Sequence, residues 1–162
     1  MSLRQASTHM DIFGRHADEA IALLARIGLA FTFWLSGQTK IEGLVLDPLG
    51  LQVQWGWPRV SESALELFRN EYALPLLPPD WAALMAATAE HVLPLMLVLG
   101  LGTRVAALGV LGMTLVIQLF VYPLAFPTHA LWAASALALL VHGGGRLALD
   151  RPLARRFAHK GA

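Results

Sequence analysis

The sequence predicts an all-α integral membrane protein: a four-helix bundle with a long outward-facing loop between its first and second helices, containing a short amphipathic helix. Three observations carry this. Of 162 residues, 56% are hydrophobic and only 14% charged, whereas soluble domains are about 45–50% apolar and about 25% charged. Mean hydropathy is +0.57. The apolar residues also gather into stretches near the ~20 residues a helix needs to cross the hydrocarbon.

The elements follow in chain order. Residues 1–19 carry Arg4, Asp11, Arg15, Asp18 and Glu19, with no short apolar core or small-residue cleavage site. They read as a cytoplasmic tail ahead of an uncleaved anchor. The bundle occupies 20–147, with spans predicted at Ala20–Ile41, Trp81–Leu101, Arg104–Tyr122 and Thr128–Leu147. Gly100, Gly102, Pro123 and Pro127 punctuate them, as helix ends require. The outer loop, 42–80, holds "WGWP", "PLLPPD" and the polar stretch "SESALELFRNEY". In that stretch Ser61 reads as a cap for a short helix with Ala64, Leu65, Leu67 and Phe68 on its apolar side. Small residues in the third and fourth spans (Gly109, Gly112, Ala133 to Ala136) suit close packing of membrane helices.

Orientation comes from the basic residues beside the spans. Arg4, Arg15, Arg104, Arg146, Arg151, Arg155, Arg156 and Lys160 fall on one side, the last four in a basic cytoplasmic tail at 148–162. Only Arg59, Arg69 and the edge residue Lys40 fall on the other. The expectation is a multi-pass protein of the inner (plasma) membrane with both termini cytoplasmic. Net charge is +1, so nothing points to nucleic acid. The chain has no cysteine, which excludes disulfides, cysteine-ligated iron–sulfur clusters and covalent c-type haem.

Ionisable groups within a bilayer cost several kcal/mol and need a partner or a purpose. At about 1.5 Å per helical residue, Trp34, Gln38, Glu90, His91, Gln118 and His129 all fall in the outer half of the bundle. They draw on all four helices, and one polar pocket beneath the long loop would gather them. In that pocket Trp34 and Gln38, four residues apart, face inward with Gln118 and His129, while Lys40 points up to the water. The plainer readings are also open: Trp34, Lys40 and His129 as interfacial residues, Gln118 as an interhelical hydrogen bond. A mid-span carboxylate cannot face lipid, so Glu90 must be paired or protonated. His91 lies about 100° round the helix from it and would face a neighbour. Arg26, two turns into the first span, either snorkels to the cytoplasmic face or pairs with Glu90.

Three stretches, "RIGLAFTFWLSGQTKI" (26–41), "AEHVLPLMLVLGLGTRVAAL" (89–108) and "HALWAASALALLVHGGGRLALDRPL" (129–153), resemble the DoxX family of small four-span membrane proteins. The resemblance runs from Arg26 to about Leu153. It rests on an Arg and a Lys bracketing the first span, an "AE" before an apolar run ending in "GTR", and "GGGRLALD" in place of a "GxGRLSLD"-like ending. It marks Arg26, Lys40, Glu90, Arg104, Arg146 and Asp150. It also implies association with quinone-linked thiosulfate oxidation, membrane oxidoreductase assemblies or stress- and metal-linked systems. His91, where a small or apolar residue is usual, and the long aromatic first loop depart from the family pattern.

The leading functional expectation is a quinone-interacting membrane subunit of a redox system. Glu90 and His91 would handle protons, and Trp34, Gln38, Gln118, His129, Arg26 and Lys40 would line the cofactor site. An alternative is a metal- or haem-handling protein, although no histidine pair among His91, His129 and His142 has i, i+3 or i, i+4 spacing. The third is a non-catalytic scaffold that engages a partner through "WGWP". Expected partners are membrane lipid, an oxidoreductase or periplasmic protein, and a second copy of the chain.

Overall fold

The computed structural model describes residues 3–72 and 74–158. Four helical stretches are long and apolar enough to cross a membrane: His16–Gln38, Pro79–Leu99, Thr103–Val121 and Pro123–His142. The elements are α1 (Leu3–Gln38), β1 (Ile41–Glu42), β2 (Val45–Asp47), β3 (Gln52–Gln54), β4 (Arg59–Val60), α2 (Glu62–Leu67), α3 (Pro79–Leu99), α4 (Thr103–Val116), α5 (Phe126–His142) and α6 (Asp150–Ala158). Single π-helical turns extend α2 through Tyr72 and α4 through Val121.

Element ends follow local chemistry. Pro79 takes the first turn of α3, where its missing N–H costs nothing, so the helix starts two residues before the expected Trp81. Gly100 closes α3 in the left-handed conformation at φ 66°, with Leu101 N–H bonded to Met96 O; a glycine makes that stop cheap. α5 ends at His142, not the expected Leu147, because Gly143 and Gly145 adopt φ of 80° and 79°. At the other end of the chain, the segment expected as a separate tail is helical from Leu3 and continuous with the first span. Residues 159–162 of the predicted basic tail, with Lys160, lie outside the described residues.

The core is built from small and branched residues: Leu29, Ala30, Phe33, Leu97, Ala106, Ala107, Val110, Ala136 and Leu139 are buried together. Helix association within lipid depends on close packing, which the alanines permit. Gly37 permits a close approach, since a Cβ there would stand 2.8 Å from the His91 ring and 3.0 Å from Glu90 O. It brings α1 against α3 at the two residues that carry the polar chemistry.

The long loop folds back on the bundle. β1 pairs with β4 and β2 with β3, both antiparallel. Ser61 caps α2 by accepting from Ala64 N–H at 3.2 Å. Phe68, just beyond it, packs on Ala82 and Ala83 of α3. Within the expected outer loop, the β2–β3 hairpin lies against the bundle. Trp34 Nε1 donates to Leu46 O at 2.7 Å, and Leu46 N–H donates to Gln38 Oε1 at 2.7 Å. Trp34 stands near mid-bundle, because its neighbour Phe33 meets Trp132 at 5.3 Å between rings and Trp132 is midway along the span Pro123–His142. Pro48, beyond Leu46, borders a groove with Ala30, Phe31 and Val98. The hairpin therefore descends beside α1 and α3 to the middle of the bundle.

Candidate functional site

Ser36 of α1 and Lys40, two residues past its end, meet on one side of the helix; Trp34 and Gln38 present another face, about 200° round from Ser36. α3 answers with neighbours, Glu90 to the first face and His91 to the second.

On the first face Lys40 Nζ lies 2.7 Å from Glu90 Oε2, and donates also to Ser36 O at 3.2 Å and Ser36 Oγ at 3.0 Å. All three ammonium hydrogens are thus used. Lys40 is 8% exposed and Glu90 3%, so the expectation that Lys40 points up to water is corrected. The first helix ends at Gln38, and the lysine stem folds back down beside Ser36 to reach the carboxylate. Glu90 is paired, as its depth demands, but not with Arg26.

On the second face His91 Nδ1 lies 2.7 Å from Ala87 O. A carbonyl only accepts, so Nδ1 carries the hydrogen and Nε2 accepts from Gln38 Nε2 at 2.9 Å. The rings of Trp34 and His91 meet edge-on at 5.0 Å. With both Gln38 and Trp34 also bound to Leu46, this group clamps the hairpin to α1. The single pocket expected from depth is therefore corrected to two separate clusters: rise along a helix gives depth, but the faces diverge.

Beside the ion pair lies a cavity of about 310 Å³, lined by Ser36, Lys40, Glu90 and His129 and by apolar walls that include Phe68, Ala86, Met113, Ile117 and Trp132. His129 is 4% exposed. Gln118 Nε2 donates to Pro123 O at 2.7 Å, which leaves Gln118 Oε1 to accept from His129 Nδ1 at 2.7 Å. Neutral His129 then carries its lone pair on Nε2. The π-helical turn Ile117–Val121 positions Gln118, and such turns often occur at functional sites. The rim residues Leu77, Met85 and Tyr122 are 40%, 54% and 45% exposed, so the cavity opens among apolar side chains.

Sequence reasoning missed Ser36, Trp132, Tyr72 and Tyr122. Ser36 was accessible through its i, i+4 relation to Lys40. The tyrosines are the only two in the chain, and their hydroxyls meet at 3.0 Å where the loop crosses the cavity. Burial and then the bond to Tyr122 push the Tyr72 phenol well above its ordinary range, so it keeps its proton.

Arg26 belongs to the opposite end. Its Nε donates to Leu97 O at 2.7 Å, its two outer nitrogens to Val98 O at 2.6 Å and Gly144 O at 3.0 Å. It neither snorkels nor pairs with Glu90: it bonds two carbonyls in the last turn of α3 and one just past α5. Arg104 likewise donates to Val141 O at the end of α5, at 3.1 Å. Asp150 accepts from Gly102 and Thr103 N–H at 2.6 and 2.8 Å, capping α4 from 47 residues away in sequence. Arg146 N–H bonds the Glu19 carboxylate. Among the described residues no three His, Asp or Glu side chains converge as a metal site.

Four spans enclosing an ion pair at the floor of an apolar cavity define a small helical membrane protein with a polar-ended pocket. The DoxX family profile matches residues 21–123, more than half of the 162, and the chain belongs to the DoxX family. No curated protein and no solved structure matches it. Arg26, Lys40, Glu90 and Arg104 fall within the matched residues.

Proposed function

We propose that this DoxX protein is a quinone-binding membrane subunit of a redox system, with the loop side facing the periplasm and both termini in the cytoplasm. The observation that carries this is the cavity's construction: apolar walls, a rim of exposed Leu77, Met85 and Tyr122, and the ion pair, Ser36 and His129 at the inner end. Its volume of about 310 Å³ is at the low end of the roughly 300–1,000 Å³ of small-molecule pockets. A headgroup would be enclosed and an isoprenoid tail would leave through the rim. Trp132 and the apolar wall would orient the ring; Glu90 and His129 would accept protons at Oε1 and Nε2. When bound, the quinone supplies a two-electron, two-proton couple, exchanged with a partner oxidoreductase. Of the residues first assigned to the cofactor, Lys40 and His129 line this cavity and Gln118 supports it. Trp34 and Gln38 serve the hairpin, together with His91, which was expected to handle protons, and Arg26 serves the terminal side. The basic residues of the terminal side support the orientation.

The test is extraction of lipids from the purified protein, with chromatography for quinone. Wild type should retain quinone, and Ala86→Phe, which fills the cavity wall, should lose it while unfolding at a similar temperature. Equal retention by the filled variant, or a Soret band in place of quinone, would overturn the reading.

A second reading, assembly with a membrane partner, is favoured by the hairpin. Leu46 turns its N–H and C=O to α1, so in the antiparallel ladder Val53 opposite it turns both of its own away from β2. Val53 is 63% exposed at mid-bundle depth, where unpaired backbone facing lipid costs several kcal/mol. Another protein segment would cover that edge.

A further inference from the structure

We infer that the pocket takes the reduced, hydroxyl-bearing form of its ligand, a hydroquinone, in preference to the quinone; this rests on the quinone-binding reading above. The inner end of the cavity holds almost only acceptors. Lys40, the natural donor to a carbonyl, has spent its three hydrogens on Ser36 O, Ser36 Oγ and Glu90 Oε2. The Ser36 hydroxyl accepts one of these hydrogens.

Two acceptors remain there for a ligand, besides the one hydrogen that the Tyr72–Tyr122 hydroxyl pair leaves unused at the rim. Glu90 Oε1 and His129 Nε2 have no protein donor among the described side-chain bonds. Neither is sealed from the cavity, since the buried side-chain polar atom closed off without a partner among the described residues is Thr103 Oγ1. Both belong to residues at least nine-tenths buried that line the cavity. The His129 tautomer is fixed by Gln118, whose amide is itself oriented by Pro123 O. A carboxylate oxygen and an imidazole lone pair each want a hydrogen. A hydroquinone brings one on each hydroxyl. A quinone brings only carbonyl oxygens, which would desolvate both acceptors and leave them unpaired.

The experiment compares three probes of one shape on the wild-type protein in detergent under anaerobic conditions: a decyl-substituted benzohydroquinone, its dimethyl ether and the matching benzoquinone. Binding is read by equilibrium dialysis. The hydroquinone should bind about tenfold or more tightly than either of the others, and His129→Leu should shrink that preference. If the quinone or the dimethyl ether binds as tightly as the hydroquinone, the inference fails and the quinone-site reading stands. If none of the three binds, the reading fails and takes the inference with it. Because the wild-type comparison decides by itself, a misfolded His129→Leu protein would not rescue the proposal.

Discussion

Lys40 and Glu90 are two charges withdrawn from water near the middle of a membrane bundle, and their energetics set what substitution there should do. The desolvation penalty of each ion is offset by the 2.7 Å contact and the two bonds to Ser36. Removing one partner leaves the other buried and uncompensated, at a cost of about 3–5 kcal/mol. Lys40→Met and Glu90→Leu should each lower stability in micelles by about that much, and the double variant should recover most of it. Additive losses in a double-mutant cycle would show that the two residues do not act as a pair. His91 illustrates a different residue-scale lesson. It sits one position from Glu90, yet one helical step of about 100° moves it from the cavity to the clamp on Leu46.

At the scale of elements, the terminal side is held by side chains that finish other helices. Arg26 and the 149–150 backbone occupy the carbonyls ending α3: Leu149 N–H reaches Leu99 O at 3.3 Å and Asp150 N–H reaches Gly100 O at 2.9 Å. The Asp150 carboxylate then caps α4. Burial raises its pKa, but the N–H donors of Thr103 and Gly102 and the charge of Arg26 outweigh this and hold it below the ordinary carboxylate range. A depressed folded-state pKa gives stability that is present above the unfolded value and lost as pH falls through the folded one. Asp150→Ala should therefore cost about 0.5–2 kcal/mol at neutral pH. The difference from wild type should close as acid protonates the wild-type carboxylate. A difference that is constant with pH would argue that Asp150 acts by packing alone.

For the whole molecule, the open question of topology is how the 42–80 loop meets the bilayer. A cysteine at Ser63, at the start of α2, should react from outside with an impermeant thiol reagent, and one at Ala154 should not. A cysteine at Leu51, which is 87% exposed but on the descending hairpin, should resist the same reagent and react with a lipid-soluble one. A photo-crosslinker at Val53 should capture protein rather than lipid if the hairpin edge is covered. Rapid aqueous labelling at Leu51 would place the hairpin in water and remove the basis for the assembly reading. Reversed labelling of Ser63 and Ala154 would invert the bundle.

The motifs of three stretches gave the resemblance to the family, and hydrophobicity along the chain was enough to determine four spans, their approximate ends and the need for a partner at Glu90. These depend on composition and on the fixed rise of a helix, both local quantities. The helix ends that moved, at Pro79 and His142, did so for local reasons also visible in the residues: a proline tolerated in the first turn and glycines free to adopt positive φ. Tertiary structure alone decided which basic residue meets Glu90. Depth offered Arg26 as the partner and left Lys40 pointing to the water, but the azimuth of each side chain depends on how α1 and α3 rotate against one another, where Gly37 permits close approach. It also decided that Trp34 and Gln38 turn away from His129, and that two tyrosines 50 residues apart meet over the cavity. Helical periodicity orders residues around one axis; where those axes stand relative to each other is fixed only by the packing of all four helices at once.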